Sequence, residues 1–270
     1  MFDVEDHPAG FAAPWEDRLA GVLVARIAPR PSMHALDVGA GAGALTEPLV
    51  DALGIDAVAA VAFSDADVGA LARRLPGLEV HRADGDALPF PDGAFGLVAA
   101  QLAVPRMPDP VGGIREMVRV TAPHGHLAAT AWDAAGGRAP LSLFWAVARE
   151  LDPDLPDGAA APGACRGALE ELFAEAGVLD VEGGALTVHL PYDDPDDWWR
   201  VHALGDRAAE AYATSLDDAR LAELRRRCAE RLEIGPGVIE ATAWLAVATA
   251  PPQPARSASP WQSEGHGTHR

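Results

Sequence analysis

A glycine-rich stretch in the first fifth of the chain has the residue types and spacing of a ligand-binding turn. Residues 36–46 read LDVGAGAGALT, in which a short apolar run leads into glycines and then directly into a helical pattern. Glycines allow a tight turn and a close approach of the backbone to a ligand, and the helix N-terminus supplies free N–H donors. Because Gly39, Gly41 and Ala44 also fit G-x-G-x-x-G/A, dinucleotide binding stays open here.

Two acidic positions, one beside this turn and one after a later strand, bear on the identity of the ligand. Asp37 lies on the predicted strand two residues before Gly39, where dinucleotide folds usually have an apolar residue. A carboxylate at that place suits an amino group. Further along, residues 84–91 read DGDALPFP and continue as DGAF into the next apolar run, so a second acidic residue follows another strand.

With these motifs the sequence resembles the class I S-adenosylmethionine-dependent methyltransferases, above all the bacterial small-molecule group with an LPFPDG-F loop. The resemblance is specific over residues 15–132 and looser as far as residue 249. It implies transfer of a methyl group from S-adenosylmethionine to an O, N or C atom of a small-molecule acceptor. The cofactor contacts that it implies are Asp37 with Gly39, Ala40, Gly41 and Gly43 at the methionine moiety, Asp84 and Gly85 at the adenine, and Gln101 near the methyl group.

Three positions depart from the family pattern. The acidic residue that usually grips the ribose hydroxyls at the end of the second strand is Ala62 here, and Ser64 or Asp65 could compensate in part. Losing a charge-assisted hydrogen bond costs about 1.5–3 kcal/mol, or roughly ten- to hundredfold in affinity. Gly96 replaces the usual aspartate of the fourth strand, and segment 103–107 lacks the histidine that relatives often carry.

The sequence assigns no catalytic base, and Gln101 is its only candidate for a group beside the reacting atoms. A sulfonium methyl group is already activated, so approximation and orientation can supply much of the acceleration. Three aromatic residues are predicted to contact the substrate, namely Trp15, Trp132 and Trp198. Of these, Trp132 ends a predicted strand on the side of the sheet where ligands bind, which makes it the strongest candidate.

The elements that position these residues alternate between strands and helices, which indicates βαβ units and a parallel sheet. Strands are predicted at 35–38, 58–63, 78–82, 95–100, 126–132, 178–190 and 238–249, with a linker at 152–163. The fold prediction is a doubly wound, mostly parallel seven-stranded sheet (Rossmann-like) with an antiparallel last strand, and with a helical insert at 194–232 as a substrate lid. Residues 1–250 form one methyltransferase-like domain in this interpretation, and the Pro/Ser/Gly-rich residues 251–270 form a disordered tail.

Composition excludes several classes of function. With 40 acidic and 21 basic residues the formal net charge is −19, so binding to nucleic acid or to anionic membrane surfaces is not expected. No apolar run is long enough to span a bilayer and no secretory signal is visible, so the sequence predicts a cytoplasmic protein. Cys165, Cys228 and the scattered histidines lack metal-ligand spacing, and no metal site is predicted. The oligomeric state stays open.

Two other functions remain at this point. A protein could keep the fold and the pocket without methylating, through structural cofactor binding, a non-methylating cyclisation or a regulatory role. Ala62, Gly96 and Pro105 motivate that alternative. An NAD(P)-dependent oxidoreductase is the third candidate, although Ala62 weakens it as well, because dinucleotide folds also use an acidic residue near that position.

Overall fold

A computed structural model describes residues 13–156, 160–203, 207–232 and 234–252, and its strands form one seven-stranded sheet. The spatial order of the strands is β3-β2-β1-β4-β5-β7-β6. Their bounds are β1 Ala35–Val38, β2 Val58–Ala62, β3 Glu79–Arg82, β4 Phe95–Gln101, β5 Thr121–Trp132, β6 Glu182–Tyr192 and β7 Gly237–Thr249.

The strand directions agree with the predicted mostly parallel sheet. The pairs formed among strands β1 to β5 are all parallel, and β7 is antiparallel to both β5 and β6. The prediction of an antiparallel last strand is therefore confirmed. Two strand starts differ from the prediction by more than one residue: β5 begins at Thr121 and β6 at Glu182. An irregularity in the β4–β5 ladder, between the pairs that Phe95 and Leu97 make, accommodates the longer β5.

Helices cover both faces of this sheet, which explains why its central strands are continuously apolar. β2 reads VAAVA and all five of its residues are buried. Apolar residues of α1, α2 and α3 pack on one face, and those of α4 and α6 on the other. The helices are α1 Ala13–Ile27, α2 Thr46–Leu53, α3 Asp65–Arg74, α4 Pro110–Val120, α5 Ser142–Leu151, α6 Ala168–Glu175, α7 Pro195–Trp198, α8 Arg207–Ser215 and α9 Asp218–Ala229.

Local sequence sets where several of these helices begin. The Ser64 hydroxyl accepts a hydrogen bond from the backbone N–H of Asp67 and caps α3. Asp109 accepts from the backbone N–H of Gly112, and Pro110 occupies the first helical position of α4. Side-chain caps of this type satisfy N–H groups that have no partner inside the helix, and proline is preorganised for the first turn.

A separate group of helices packs at the part of the β6–β7 hairpin that extends past the end of β5. β5 ends opposite Ala243, whereas residues 237–242 of β7 pair only with residues 187–192 of β6. Helices α7, α8 and α9 lie in the chain between these two strands, within the predicted insert 194–232. Together with α5 they form the helical cluster, defined here by its buried residues Phe144, Val147, Ala148, Tyr192, Trp198, Trp199, Ala209, Ala213, Leu224, Cys228 and Leu232.

The described residues contain neither a membrane-spanning helix nor a metal-ligand cluster. None of the helices in these ranges has the length and apolar character needed to cross a bilayer. The same ranges contain no group of three His, Cys, Asp or Glu side chains arranged to hold a metal ion. The predicted tail at 251–270 lies, from residue 253 onwards, outside the described residues.

Candidate functional site

The site begins at the carboxyl end of β1, where Asp37 is held between two other strands. Its backbone pairs with Ala60 of β2 on one side and with Ala99 of β4 on the other. Its side chain is 1 % exposed, and the hydroxyl of Thr46, the first residue of α2, donates a 2.7 Å hydrogen bond to Oδ2. The strand and the helix that flank the glycine turn are thus linked by their side chains.

Burial makes this carboxyl group unusually weak as an acid. Desolvation raises the pKa of Asp37 from 3.8 to about 7, and the hydrogen bond from Thr46 opposes that rise in part. Burial disfavours the charged form of any carboxyl group, whereas a cation beside it restores that form. A ligand with an ammonium group would therefore supply the charge partner that Asp37 lacks among the described residues.

The glycine turn crosses the end of β2 and has open space at Gly41. The backbone N–H groups of Gly39 and Ala40 both donate to the Val61 carbonyl, so the turn is anchored to the sheet. A Cβ atom on Gly39 would lie 2.4 Å from the Ala103 Cβ atom, whereas one on Gly41 would meet nothing within 4 Å. Both glycines have positive φ, which other residues adopt only with strain.

A cavity of about 360 Å³ opens beside this turn. That volume is at the lower end of the range for small-molecule pockets, roughly 300–1,000 Å³. Its walls come from the ends of β1, β4 and β5, from α1 and from the segment between α5 and α6. The lining residues are Glu16, Asp37, Gly39, Ala40, Gly41, Ala44, Leu45, Gln101, Leu102, Pro105, Arg106, Trp132, Ala134, Ala161, Pro162 and Ala164.

Gln101 connects the end of β4 to the N-terminal helix. Its Nε2 atom donates a 3.0 Å hydrogen bond to the backbone carbonyl of Glu16. Its Oε1 atom is buried and has no hydrogen-bond partner among the described residues. A buried acceptor without a partner is costly, so this oxygen is suited to accept a hydrogen bond from a bound ligand.

A network around Asp133 fixes the loop that follows Trp132. Asp133 Oδ1 accepts from the Gly136 backbone N–H and from Trp244 Nε1, both at 3.0 Å, and Oδ2 accepts from Arg138 Nε. The guanidinium of Arg138 also stacks over the Trp244 ring at 5.3 Å. Trp132 and Ala134, on either side of Asp133, therefore line the cavity from a fixed loop.

The segment between α5 and α6 forms the roof of the cavity. Ala161, Pro162 and Ala164 line it, and the Ala135 N–H donates to the Ala164 carbonyl. Between them, Gly163 has a φ of +78°, and a Cβ atom there would lie 2.9 Å from the Cβ atom of Ala131. A larger residue at this position would push the roof away from the sheet.

The structure brings together six of the predicted site residues at this cavity: Asp37, Gly39, Ala40, Gly41, Gln101 and Trp132. Four others predicted to contact the cofactor lie elsewhere. Ser64 is engaged as the cap of α3, and the exposed Asp84 pairs with Arg82 at 3.1 Å. Gly43 packs against Leu71, and Gly85 against Met107, the residue next to Arg106. Ala62 is fully buried, so the usual ribose carboxylate has no replacement at its own position.

Two of the three tryptophans predicted to contact substrate do not line the cavity. Trp198 is fully buried in the helical cluster, where its ring packs among apolar side chains. Trp15 is 8 % exposed and packs in the core with Leu19 and Leu45. The insert 194–232 likewise contributes none of the described lining residues, and the roof includes part of the segment predicted to be a linker. The positions of Trp15 and Trp198 differ from the prediction because helical periodicity does not distinguish a side chain that packs in the core from one that lines a cavity.

Sequence reasoning also missed lining residues. Glu16 and Arg106 carry charge into the cavity, and Ala161, Pro162 and Ala164 close it. A signal existed only for Arg106, which lies in the segment 103–107 where relatives often carry a histidine. Nothing local marks the others, because they reach the cavity only through the packing of α1 and α6 against the sheet.

Part of the chain is similar to known methyltransferases. Residues 36–129 match the model of a methyltransferase domain. The chain is 36% identical over 106 residues to a demethylmenaquinone methyltransferase of Renibacterium salmoninarum, which covers 39% of this chain and 44% of that protein. It is 40% identical over 103 residues to a malonyl-[acyl-carrier protein] O-methyltransferase of Halorhodospira halophila, covering 37% of this chain and 34% of that protein. The chain therefore matches less than half of the length of these relatives.

Solved structures share the fold over most of the chain. A SAM-dependent methyltransferase from Aquifex aeolicus aligns with a TM-score of 0.51 at 14% identity, covering 88% of this chain and 93% of that one. The [4+2]-cyclase SpnF aligns with a TM-score of 0.53 at 20% identity, covering 92% and 86%. At such identities the likeness concerns the fold alone.

Proposed function

We propose that this chain, which carries a class I S-adenosylmethionine-dependent methyltransferase domain, transfers the methyl group of that cofactor to an O, N or C atom of a small-molecule acceptor. The observation that carries the proposal is the buried Asp37 carboxylate at a cavity bordered by the glycine turn. It provides an acidic partner for an amino group next to a backbone that a ligand can approach closely.

The residues at the cavity fit this cofactor at its methionine end. Asp37 would hold the ammonium group, and the open space at Gly41 leaves room for the chain of the methionine moiety. Ser64, Asp84 and Gly85 lie outside the cavity, so their contacts with ribose and adenine remain predictions. Gly43 also lies outside it, and its contact with the methionine moiety remains a prediction. The bound cofactor would supply an activated methyl group on a sulfonium sulfur.

The chain itself would act mainly by approximation and by excluding water. Gln101 would direct its buried Oε1 towards the reacting end of the cavity, and Trp132 would form an apolar wall against the acceptor. Holding two reactants in line converts a bimolecular step into an effectively unimolecular one, which can lower the barrier by about 7–11 kcal/mol. No catalytic base is assigned, and an acceptor that is itself nucleophilic needs none.

A protein that keeps this fold without methylating is the second candidate. The fully buried Ala62 favours it, since no carboxylate stands at the usual ribose position. An NAD(P)-dependent oxidoreductase is the weaker alternative, because β7 lies antiparallel between β5 and β6, unlike the 3-2-1-4-5-6 order of dinucleotide-binding sheets.

Calorimetric titration with S-adenosylmethionine and S-adenosylhomocysteine, with NADPH as a control, tests the proposal. We expect micromolar binding of the two sulfur compounds and none of NADPH. Binding should weaken about tenfold per pH unit below pH 7, because protonation of Asp37 removes the partner of the ammonium group. Asp37→Asn should abolish binding and the exposed Asp51→Asn should not.

Two results would count against methyl transfer. Absence of binding by the unmodified protein would contradict cofactor use altogether. Binding without release of S-adenosylhomocysteine across a broad panel of acceptors would make the non-methylating protein the better description.

A further inference from the structure

The cavity contains one basic side chain among the residues that the structure describes. Glu16, Asp37 and Arg106 are its charged lining residues, and the first two are acidic. The remaining walls are largely apolar, with Leu45, Leu102 and the Trp132 ring among them. An arginine in such a setting has a large influence on which ligands enter, since its charge is opposite to that of the molecule as a whole.

Arg106 is held by a short rigid turn. It ends the 3₁₀ helix Val104–Arg106. The Arg106 N–H donates to the Ala103 carbonyl, and the N–H of the next residue, Met107, donates to the Val104 carbonyl. The side chains of Ala103, Val104 and Met107 are buried in the core on the α4 face of the sheet. The stem of Arg106 therefore starts from a fixed point at the carboxyl end of β4.

The guanidinium group of Arg106 is free to bind a ligand. It makes no ion pair or hydrogen bond with any described residue, and the residue is exposed. Some other arginines are engaged within the protein: Arg74 pairs with Glu47 and Asp17, and Arg119 with Glu116 and Asp92. An unpaired guanidinium offers a planar set of donors that matches a carboxylate with two parallel hydrogen bonds.

A carboxylate bound by Arg106 could belong to the cofactor or to the acceptor, and the position of Arg106 within the cavity distinguishes the two. Asp37 and the glycine turn, assigned above to the cofactor, lie at the end of β1. Arg106 follows β4, and Trp132 ends β5, the strand that pairs with β4 on the side away from β1. Arg106 and Trp132 thus belong to the half of the cavity that is left for the acceptor.

We propose that Arg106 binds the carboxylate of the acceptor, so that the substrate class is an organic acid with an apolar body. This inference rests on the proposed function, because the division of the cavity follows from placing the cofactor at Asp37. The apolar body would lie against Trp132 and Leu102, and the acid group would reach the guanidinium at the mouth of the cavity.

Matched acid and amide pairs test the inference directly. The probes are 4-hydroxybenzoate with 4-hydroxybenzamide, indole-3-acetate with indole-3-acetamide, and decanoate with decanamide. Each is titrated calorimetrically into the protein, with and without saturating S-adenosylhomocysteine. We expect at least one acid to bind about tenfold or more tightly than its amide, the usual size of a charge-assisted contact.

Variants then assign this preference to one side chain. Arg106→Gln should remove the preference for the acid and change the affinity for S-adenosylhomocysteine less than twofold. Arg106→Lys should restore part of the preference, because lysine keeps the charge without the planar fork. Arg73→Gln is the matched control, since Arg73 is an exposed arginine on α3 outside the cavity, and it should leave every affinity unchanged.

Two outcomes would overturn the inference. An unmodified protein that binds acids and amides equally would show that no acid group is recognised. A loss of tenfold or more in affinity for S-adenosylhomocysteine in Arg106→Gln would assign Arg106 to the carboxylate of the cofactor. Failure of the proposed function has a different signature, namely no binding of S-adenosylhomocysteine to the unmodified protein. The titrations without that compound still decide whether Arg106 recognises an acid group.

Discussion

Asp37 couples the stability of the fold to its capacity to bind a cation. Its carboxyl group is buried at the centre of the sheet, and its pKa rises from 3.8 to about 7 through desolvation. Between these two values the unfolded chain has released the proton while the folded chain retains it. The folded state therefore binds more protons in that window, and its stability falls as pH rises from about 4 to 7 and levels off above.

Asp37→Asn should accordingly stabilise the ligand-free protein at pH 8. Each pKa unit corresponds to about 1.4 kcal/mol, so we expect an increase of about 2–4 kcal/mol in the free energy of unfolding at pH 8 and a smaller one at pH 5. Urea denaturation at both pH values measures it, with the exposed Asp51→Asn as the control. An equal effect at the two pH values would contradict a buried carboxyl with a raised pKa.

The glycine turn allows a second residue-level prediction. Gly41→Ala places a methyl group in open space at a φ of +52°, so we expect a loss of only about 1 kcal/mol in stability. Because that methyl group would enter the cavity, the affinity for S-adenosylhomocysteine should fall at least tenfold. Gly54→Ala is the matched control: φ is +89°, a Cβ atom also meets nothing within 4 Å, and the position is outside the cavity. Equal affinities in the two variants would mean that the ligand does not approach residue 41.

At the level of elements, the loop after β5 and the roof segment depend on one acidic side chain. Asp133 is 1 % exposed and accepts hydrogen bonds from three donors, and the Ala135 N–H links the same loop to the Ala164 carbonyl of the roof. Two chain segments that line the cavity are thereby connected to each other and, through Trp244, to β7.

Asp133→Ala should loosen this connection. It leaves the Trp244 Nε1 and Gly136 N–H groups without their partner, and an unsatisfied buried donor costs about 1–3 kcal/mol. We expect a loss of that size or more in urea denaturation, together with a change in the tryptophan fluorescence. Asp154→Ala, at an exposed aspartate between α5 and α6, is the control and should behave like the unmodified protein. A neutral Asp133→Ala would show that the loop is held by its backbone alone.

For the whole molecule, the helical cluster forms a core of its own beside the sheet. Phe144 and Trp198 are fully buried within it, and the Phe144 ring lies 5.8 Å from that of Trp199. The cluster packs against the projecting part of the β6–β7 hairpin, where Tyr192 of β6 is one of its buried residues. This arrangement separates a region that stabilises the fold from the residues that line the cavity.

Trp198→Ala and Trp132→Ala should therefore have opposite consequences. Trp198→Ala removes a large buried side chain and should lower the free energy of unfolding by about 3–5 kcal/mol. Under conditions where it stays folded, its affinity for S-adenosylhomocysteine should be unchanged. Trp132→Ala should cost less stability, since Trp132 is only partly buried, and should weaken binding of the apolar acids. Loss of cofactor affinity in folded Trp198→Ala would contradict this separation and would support the predicted role of the insert 194–232 as a lid.

The order of strands and helices, and the chemistry at the end of β1, could be predicted from the amino-acid sequence. Strand and helix periods, caps and glycine turns are local properties of the chain. For this reason the sequence was enough to place Asp37, Gly39 and Gly41 at the end of a buried strand. The antiparallel last strand followed from the family resemblance, and the sheet agrees with it.

Tertiary packing, in contrast, determines which distant residues share the cavity. The hydrogen bond from Thr46 to Asp37, the buried Oε1 of Gln101 and the roof at residues 161–164 depend on how α1, α2 and α6 pack on the sheet. Packing also buries Trp198 in the helical cluster while Arg106 remains unpaired among the described residues at the cavity. Contacts between residues far apart in the chain have no local pattern, and so the sequence could not reveal them.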